Sequence, residues 1–405
     1  MSYLQYSNFY RQMVLSGKLP YPNFYPYVSP SPNLSNQDCN SNLLAFKDLN
    51  CIFNTCRDPL YEKYDYLLYD IIPYQDPSSA MNFIAPQLVS NVVDAAINFD
   101  INLSNPWGII IINDIVWVAN ADSGLLTSYD LLGRRLLSIV NVFGPVDNIA
   151  MPTGIFYNDN LNIFPLVNGP LIGPSTIIMV TRDGTINGYN KEIYPNNSIL
   201  VVDNSEENSV YTGLEIIGSV IYAVDFYNQK IDVYDGTFNK LLTYPFIDDF
   251  GLDPIPPDFA PYNIKKIGDF LYITYARQSP FDNQYELPGT GYGFISIFTF
   301  DGIFVKRFAS RGVLNAPWGI VPAPTQFRYP PGSIMVGNFG DGIINIYCSS
   351  GQYLDQLKDE FNNIISIDGL RGLFVNENSQ IIYWTASADN LRTALVGTIN
   401  YRRIG

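Results

Sequence analysis

The chain has 405 residues, 47% of them hydrophobic, and its 23 Lys+Arg against 38 Asp+Glu give a formal net charge of -15, which repels phosphate backbones and anionic lipids and argues against a nucleic-acid partner. Histidine is absent, so the commonest general base, the usual catalytic zinc ligand and the physiological-pH switch are all missing. No stretch approaches the roughly 18 uninterrupted apolar residues of a membrane span, and Met1 to Tyr10 lacks the basic head and apolar run of a secretory signal.

Residues 1–85 read as an irregular arm. Leu19 to Pro32 carries five prolines among tyrosines, a composition that favours extended polyproline-like backbone and cannot make a central strand. A short helix is expected around Pro59 to Tyr69. Cys39, Cys51 and Cys56 fall in the arm, with Cys348 far away. None has zinc-ribbon or redox spacing, and the three clustered cysteines leave a disulfide open without choosing a pairing.

From residue 86 onward one phrase recurs. Asn105-Pro106-Trp107-Gly108 and Ala316-Pro317-Trp318-Gly319 are its clearest copies; Met151 to Gly154, Val210 to Gly213, Ala260 to Asn263 and Gly369 to Gly372 are degraded ones. Their fourth positions lie 46 to 59 residues apart, the period of one four-stranded sheet repeated around a propeller. Within the first repeat the β-rich runs are Gly108 to Ile112, Ile115 to Asn120, Leu125 to Asp130 and Arg135 to Val140, separated by turn residues. The third repeat matches it. Third runs tend to end in an aromatic followed by a turn residue, as in Tyr129-Asp130 and Tyr234-Asp235, which gives Cys348 a turn slot and a structural role. The expected fold is all-β, a six-bladed propeller over residues 86–405. The sixth repeat is one strand short, and Gln87 to Val93 is expected to close the ring by pairing with 394–400.

The order of phrases resembles an uncharacterised, mainly bacterial family of NHL-like six-bladed propellers, with copies in giant DNA viruses. The wording that carries the resemblance includes Asn105 to Gly108, Val118-Ala119-Asn120, Thr181 to Ile186, Ile231 to Asp235, Tyr272 to Ala276 and Val336 to Gly342. It spans about 315 residues. The resemblance implies a fold and supplies no catalytic residue. Its bacterial members are commonly secreted; this chain departs from them in lacking a visible signal and in having a long arm, and a virion or extracellular surface is favoured over cytoplasm.

In a propeller the innermost strands begin on the face where second strands turn into third strands, so the repeated phrases and those turns share one channel mouth. Trp107, Tyr262, Trp318 and Arg371 would stand there with Thr153 and Thr212, and the turns add Asn120, Asp122, Arg182, Asp225, Arg277, Asn338, Asp341 and Asp368. The functional reading is a mixed-charge cup walled by aromatics, for a sugar, a small anion held by Arg182, Arg277 and Arg371, or a peptide side chain. The structural reading is turn satisfaction by Asp and Asn and inner-layer packing by Trp. Asn120, Asp225 and Asn338 with Asp341 could imitate a lactonase calcium site, although no glutamate is expected at the mouth. Gly289 to Gly293 lacks phosphate-loop spacing and reads as a flexible loop. The sequon at Asn196-Asn197-Ser198 matters only where a glycosylation system is met.

Two functions follow. The first is a non-enzymatic binding or structural module for a protein or carbohydrate partner, without a resident cofactor, docked on a neighbouring subunit through its arm. The second is a calcium-dependent hydrolase or lactonase.

Overall fold

The computed structural model describes residues 83–145, 148–251 and 253–401. The Pro/Tyr-rich segment, the helix expected near Pro59 and the three arm cysteines lie outside them. Among the described residues six sheets, each of at least four strands and antiparallel apart from one short strand in the sixth, form the blades of a propeller. Their innermost strands are Pro106–Ile112, Pro152–Tyr157, Tyr211–Ile217, Phe259–Ile267, Pro317–Pro322 and Leu370–Asn376.

The repeated phrase has a mechanical cause. In all six blades the pairing between the first and second strands slips at the third phrase position, and in the first, second and sixth at the fourth as well, so a bulge bends each inner strand toward its neighbour. A Cβ on Gly108 would sit 2.5 Å from the Thr153 carbonyl, one on Gly319 2.6 Å from that of Arg371, and one on Gly372 2.5 Å from that of Trp107. Gly154 and Gly213 meet the next blade as closely, so glycine is retained because consecutive blades touch backbone to backbone there. Blade 4 has Asn263 instead, whose Nδ2 donates to the Trp318 carbonyl across the seam (2.8 Å). Thr153 and Thr212 likewise donate to the Tyr211 and Tyr262 carbonyls of the following blades.

The sixth blade closes the ring. Gln87–Ser90 pairs antiparallel with Thr393–Tyr401, with Val89 opposite Val396. Three details differ from the sequence reading. The strand stops at Ser90, because the chain turns at once and leaves Val92 and Val93 exposed. It is not outermost, since Asn98–Phe99 adds parallel beside it. Phe83–Ile84, placed in the arm by the sequence, pairs with Tyr401 and Asn400, and Phe83 is buried against Phe327.

Apolar side chains between blades form the core, divided into clusters at the seams; one joins Tyr222, Val224 and Ile231 of blade 3 to Ile264, Ile273 and Phe294 of blade 4. Turns after third strands are held by acceptors of their own in the first and third blades. Asp130 accepts the Leu132 and Arg134 N–H groups, and Asp235 accepts those of Thr237 and Asn239. Bonds from the Asn239 backbone and the Thr237 hydroxyl hold the Asp235 carboxyl down at about 2. Cys348, buried, fills the same slot with Sγ 3.0 Å from Ser350 Oγ.

Candidate functional site

The near mouth, where the innermost strands begin, is filled. Trp107, Tyr262 and Arg371 are fully buried and Trp318 nearly so. The Trp107 and Trp318 rings meet edge to face at 5.8 Å, Trp107 meets Tyr262 at 6.2 Å, and Phe226 packs on Tyr262 at 5.2 Å. The Arg371 guanidinium lies 3.5 Å from the centroid of Trp107 and 3.9 Å from that of Phe339, and cation–π attraction strengthens where water is excluded. Arg371 Nη1 donates to the Tyr262 hydroxyl (2.7 Å) and Nη2 to Glu286 Oε1 (3.2 Å), the Glu286 carboxylate being buried too. Burial, opposed by the charge of Arg371, pushes the Tyr262 phenol well above its ordinary range.

Glu286 comes from a segment outside the repeat. Between Phe270–Arg277 and Gly293–Phe298 the chain crosses the mouth, anchored by Gln278, whose Nε2 donates to the Phe226 carbonyl (2.7 Å). Arg182 Nη2 donates to the Gln284 carbonyl (2.7 Å), and its guanidinium stacks 4.7 Å from the Tyr285 centroid. Gly289, expected in a flexible loop, donates its N–H to Asn315 Oδ1, and a Cβ there would meet the Tyr292 ring at 2.6 Å. Two expectations fail here. A glutamate does stand in the mouth, and there is no open cup, because the insertion and the aromatics occupy its space.

The structure therefore brings together Trp107, Arg182, Tyr262, Trp318 and Arg371. The remaining candidates serve the chain around them. Asn120, Asp225 and Asn338 are buried and accept the N–H groups of Ser104, Val210 and Asn315, each within its own blade. Their Oδ1 atoms accept these backbone N–H groups in three different blades. Asp122 accepts from Asn105, Asp341 from Asn315 and Ile343, Asp368 from the Asp389 N–H, and Arg277 pairs with Asp258 (2.6 Å). Among the described residues no group of three or more His, Cys, Asp or Glu side chains could hold a metal ion, and no helix is long and apolar enough to cross a membrane.

Sequence reasoning missed Phe226, Glu286 and Phe339. Phe226 and Phe339 follow Asp225 and Asn338, so second-turn acids and amides each followed by Phe were a usable signal; Glu286 had none.

Beyond the plug lies a cavity of about 250 Å³ along the channel. Trp318 and the repeat glycines Gly108, Gly154, Gly319 and Gly372 border it, and it runs along the inner strands past Ile111, Phe156, Tyr157, Lys265 and Phe374. Tyr157 is 39% exposed and the Lys265 side chain 38% exposed, so the opening is at the far mouth, where the innermost strands end.

No family model matches the chain. It is 34% identical over 530 aligned positions to "Uncharacterized protein R640" of Acanthamoeba polyphaga mimivirus, covering 99% of each. The chain belongs to this viral protein family. Two further members from the same virus are "Uncharacterized protein R648", 41% identical over 77% of this chain and 78% of its own length, and "Uncharacterized protein L690", 38% identical over 82% and 90%. Among solved structures, a Bacteroides thetaiotaomicron protein of unknown function superposes with a TM-score of 0.50 at 10% identity, over 79% of this chain and 76% of that one; the likeness shows the fold alone. A streptogramin B lyase structure covers 79% of this chain and 98% of its own at TM-score 0.48 and 14% identity.

Proposed function

We propose that this member of the mimivirus family is a non-enzymatic propeller module that binds a protein partner as a component of a viral particle or surface. The observation that carries the reading is the filled near mouth: the position at which a propeller could present reactive groups to a substrate is occupied by the paired Arg371 and Glu286 and five aromatic rings. The net charge of -15 would help such a repeated component stay soluble at high local concentration. The Pro/Tyr-rich arm belongs to the same proposal, as a stiff aromatic strip that docks on a neighbouring subunit at low conformational cost. An NHL-like kinship is part of the same proposal, supported by the sixfold phrase.

The test combines metal analysis with turnover. Full-length protein is expected to hold no stoichiometric calcium and to leave lactones intact, and quantitative proteomics of purified particles should find it there at structural copy number. Bound calcium whose removal abolishes lactone hydrolysis would replace this reading with the hydrolase.

A further inference from the structure

The filled near mouth directs attention to the other end of the channel, where the cavity is blind. Trp318 closes its inner end, and its walls are Ile109 to Ile111, Ile155 to Tyr157, Ile264, Ile320, Leu373 and Phe374, all apolar or aromatic. Its polar side chains are those of Asn263 and Lys265. Asn263 is already bonded to the Trp318 carbonyl, whereas Lys265 stands partly in solvent. Its ammonium touches one Glu215 oxygen at 3.1 Å, and with three donors it has capacity for a second carboxylate. Lys266, next along the strand, faces the other way, with its ammonium 5.9 Å from the centroid of the Phe300 ring.

Volume narrows the ligand class. A cavity of about 250 Å³ falls below the roughly 300 to 1,000 Å³ of drug-sized pockets, and it fits one large side chain. Aromatic anchors seated in desolvated pockets are the groups that dominate protein interfaces. Resting on the binding-module reading above, we propose that the far mouth is an anchor socket: a partner protein inserts one aromatic side chain against Trp318, and a carboxylate beside that residue pairs with Lys265.

Equilibrium dialysis of the full-length chain against a short peptide carrying Trp flanked by Asp residues, and separately against indole-3-acetate, tests this. Saturable one-to-one binding of the peptide is expected. Ile111→Phe, which narrows the opening, should weaken it at least ten-fold; Lys265→Met should weaken it several-fold; Asp122→Asn at the near mouth should leave it unchanged. Circular dichroism and melting of each variant separate lost binding from lost fold. No saturable binding, equal affinity in Ile111→Phe, or binding of indole-3-acetate with none of the peptide would overturn the proposal. In any of those cases particle location and absent lactone turnover would leave the binding-module reading standing, while calcium-dependent turnover would remove that reading without deciding the socket.

Discussion

Arg371 carries its charge between the faces of Trp107 and Phe339 with Glu286 as counter-ion, and none of the four is separable from the others. Removing one partner of a buried ion pair leaves an uncompensated charge and costs about 3–5 kcal/mol, so Glu286→Ala and Arg371→Ala should each lower urea stability by that order. The double variant Arg371→Met with Glu286→Gln should recover part of it. Trp107 and Trp318 differ in a way that can be measured. Either replaced by Ala should cost roughly 3–5 kcal/mol, but only Trp318 uses its indole N–H, donating to the Thr212 carbonyl at 3.0 Å. Trp107 Nε1 finds no acceptor among the described residues. Trp318→Phe should therefore be the costlier of the two Phe substitutions, by about 1 kcal/mol. Asp183 and Asp341 supply a pH dependence: burial pushes both carboxyls above their ordinary value. A raised folded value means a stabilising contribution that is full at acid pH and lost as pH rises through it, so Asp183→Asn and Asp341→Asn should gain on the wild type as pH climbs from the ordinary carboxylate range to neutrality. Parallel unfolding curves at every pH would refute that assignment.

At the scale of elements the ring closure makes the sharpest demand. Gln87–Ser90 lies between Thr393–Tyr401 and Asn98–Phe99, so it covers an edge that would otherwise be free to recruit another chain. A truncation removing residues 1–80 should leave a folded, monodisperse ring, whereas one removing 1–93 should aggregate, as light scattering would report. Equal behaviour of the two would contradict the closure. Much of this was legible because the phrase is repeated: position three of each copy yields Trp107, Thr153, Thr212, Tyr262, Trp318 and Arg371, and the structure sets them in one layer. The bulge and the seam contacts explain the repeat, since both recur at every blade. Glu286 was illegible for the same reason in reverse. It sits in an insertion present in one blade, and nothing local in Gln284-Tyr285-Glu286 says that this carboxylate crosses the mouth. Asn120, Asp225 and Asn338 were equally visible as sequence but ambiguous in role, because an amide or carboxylate that caps a turn and one that binds a ligand look alike until its partners are placed.

For the whole molecule the two ends of the channel differ: one is packed with side chains, the other opens on a cavity of about 250 Å³ with Lys265 at its rim. The proposed docking role would use that polarity. The arm extends the same argument, since its aromatic strip would add area to an interface without needing a core of its own. Hydrogen exchange on the full-length chain, measured free and in its native particle assembly, tests this account most directly. It predicts that amides at the far ends of the innermost strands, residues 109–112, 155–157, 264–267 and 373–376, slow on assembly together with part of 1–85, while residues 278–292 exchange slowly in both states. Unchanged exchange at the far mouth, with the 278–292 insertion opening instead, would contradict it.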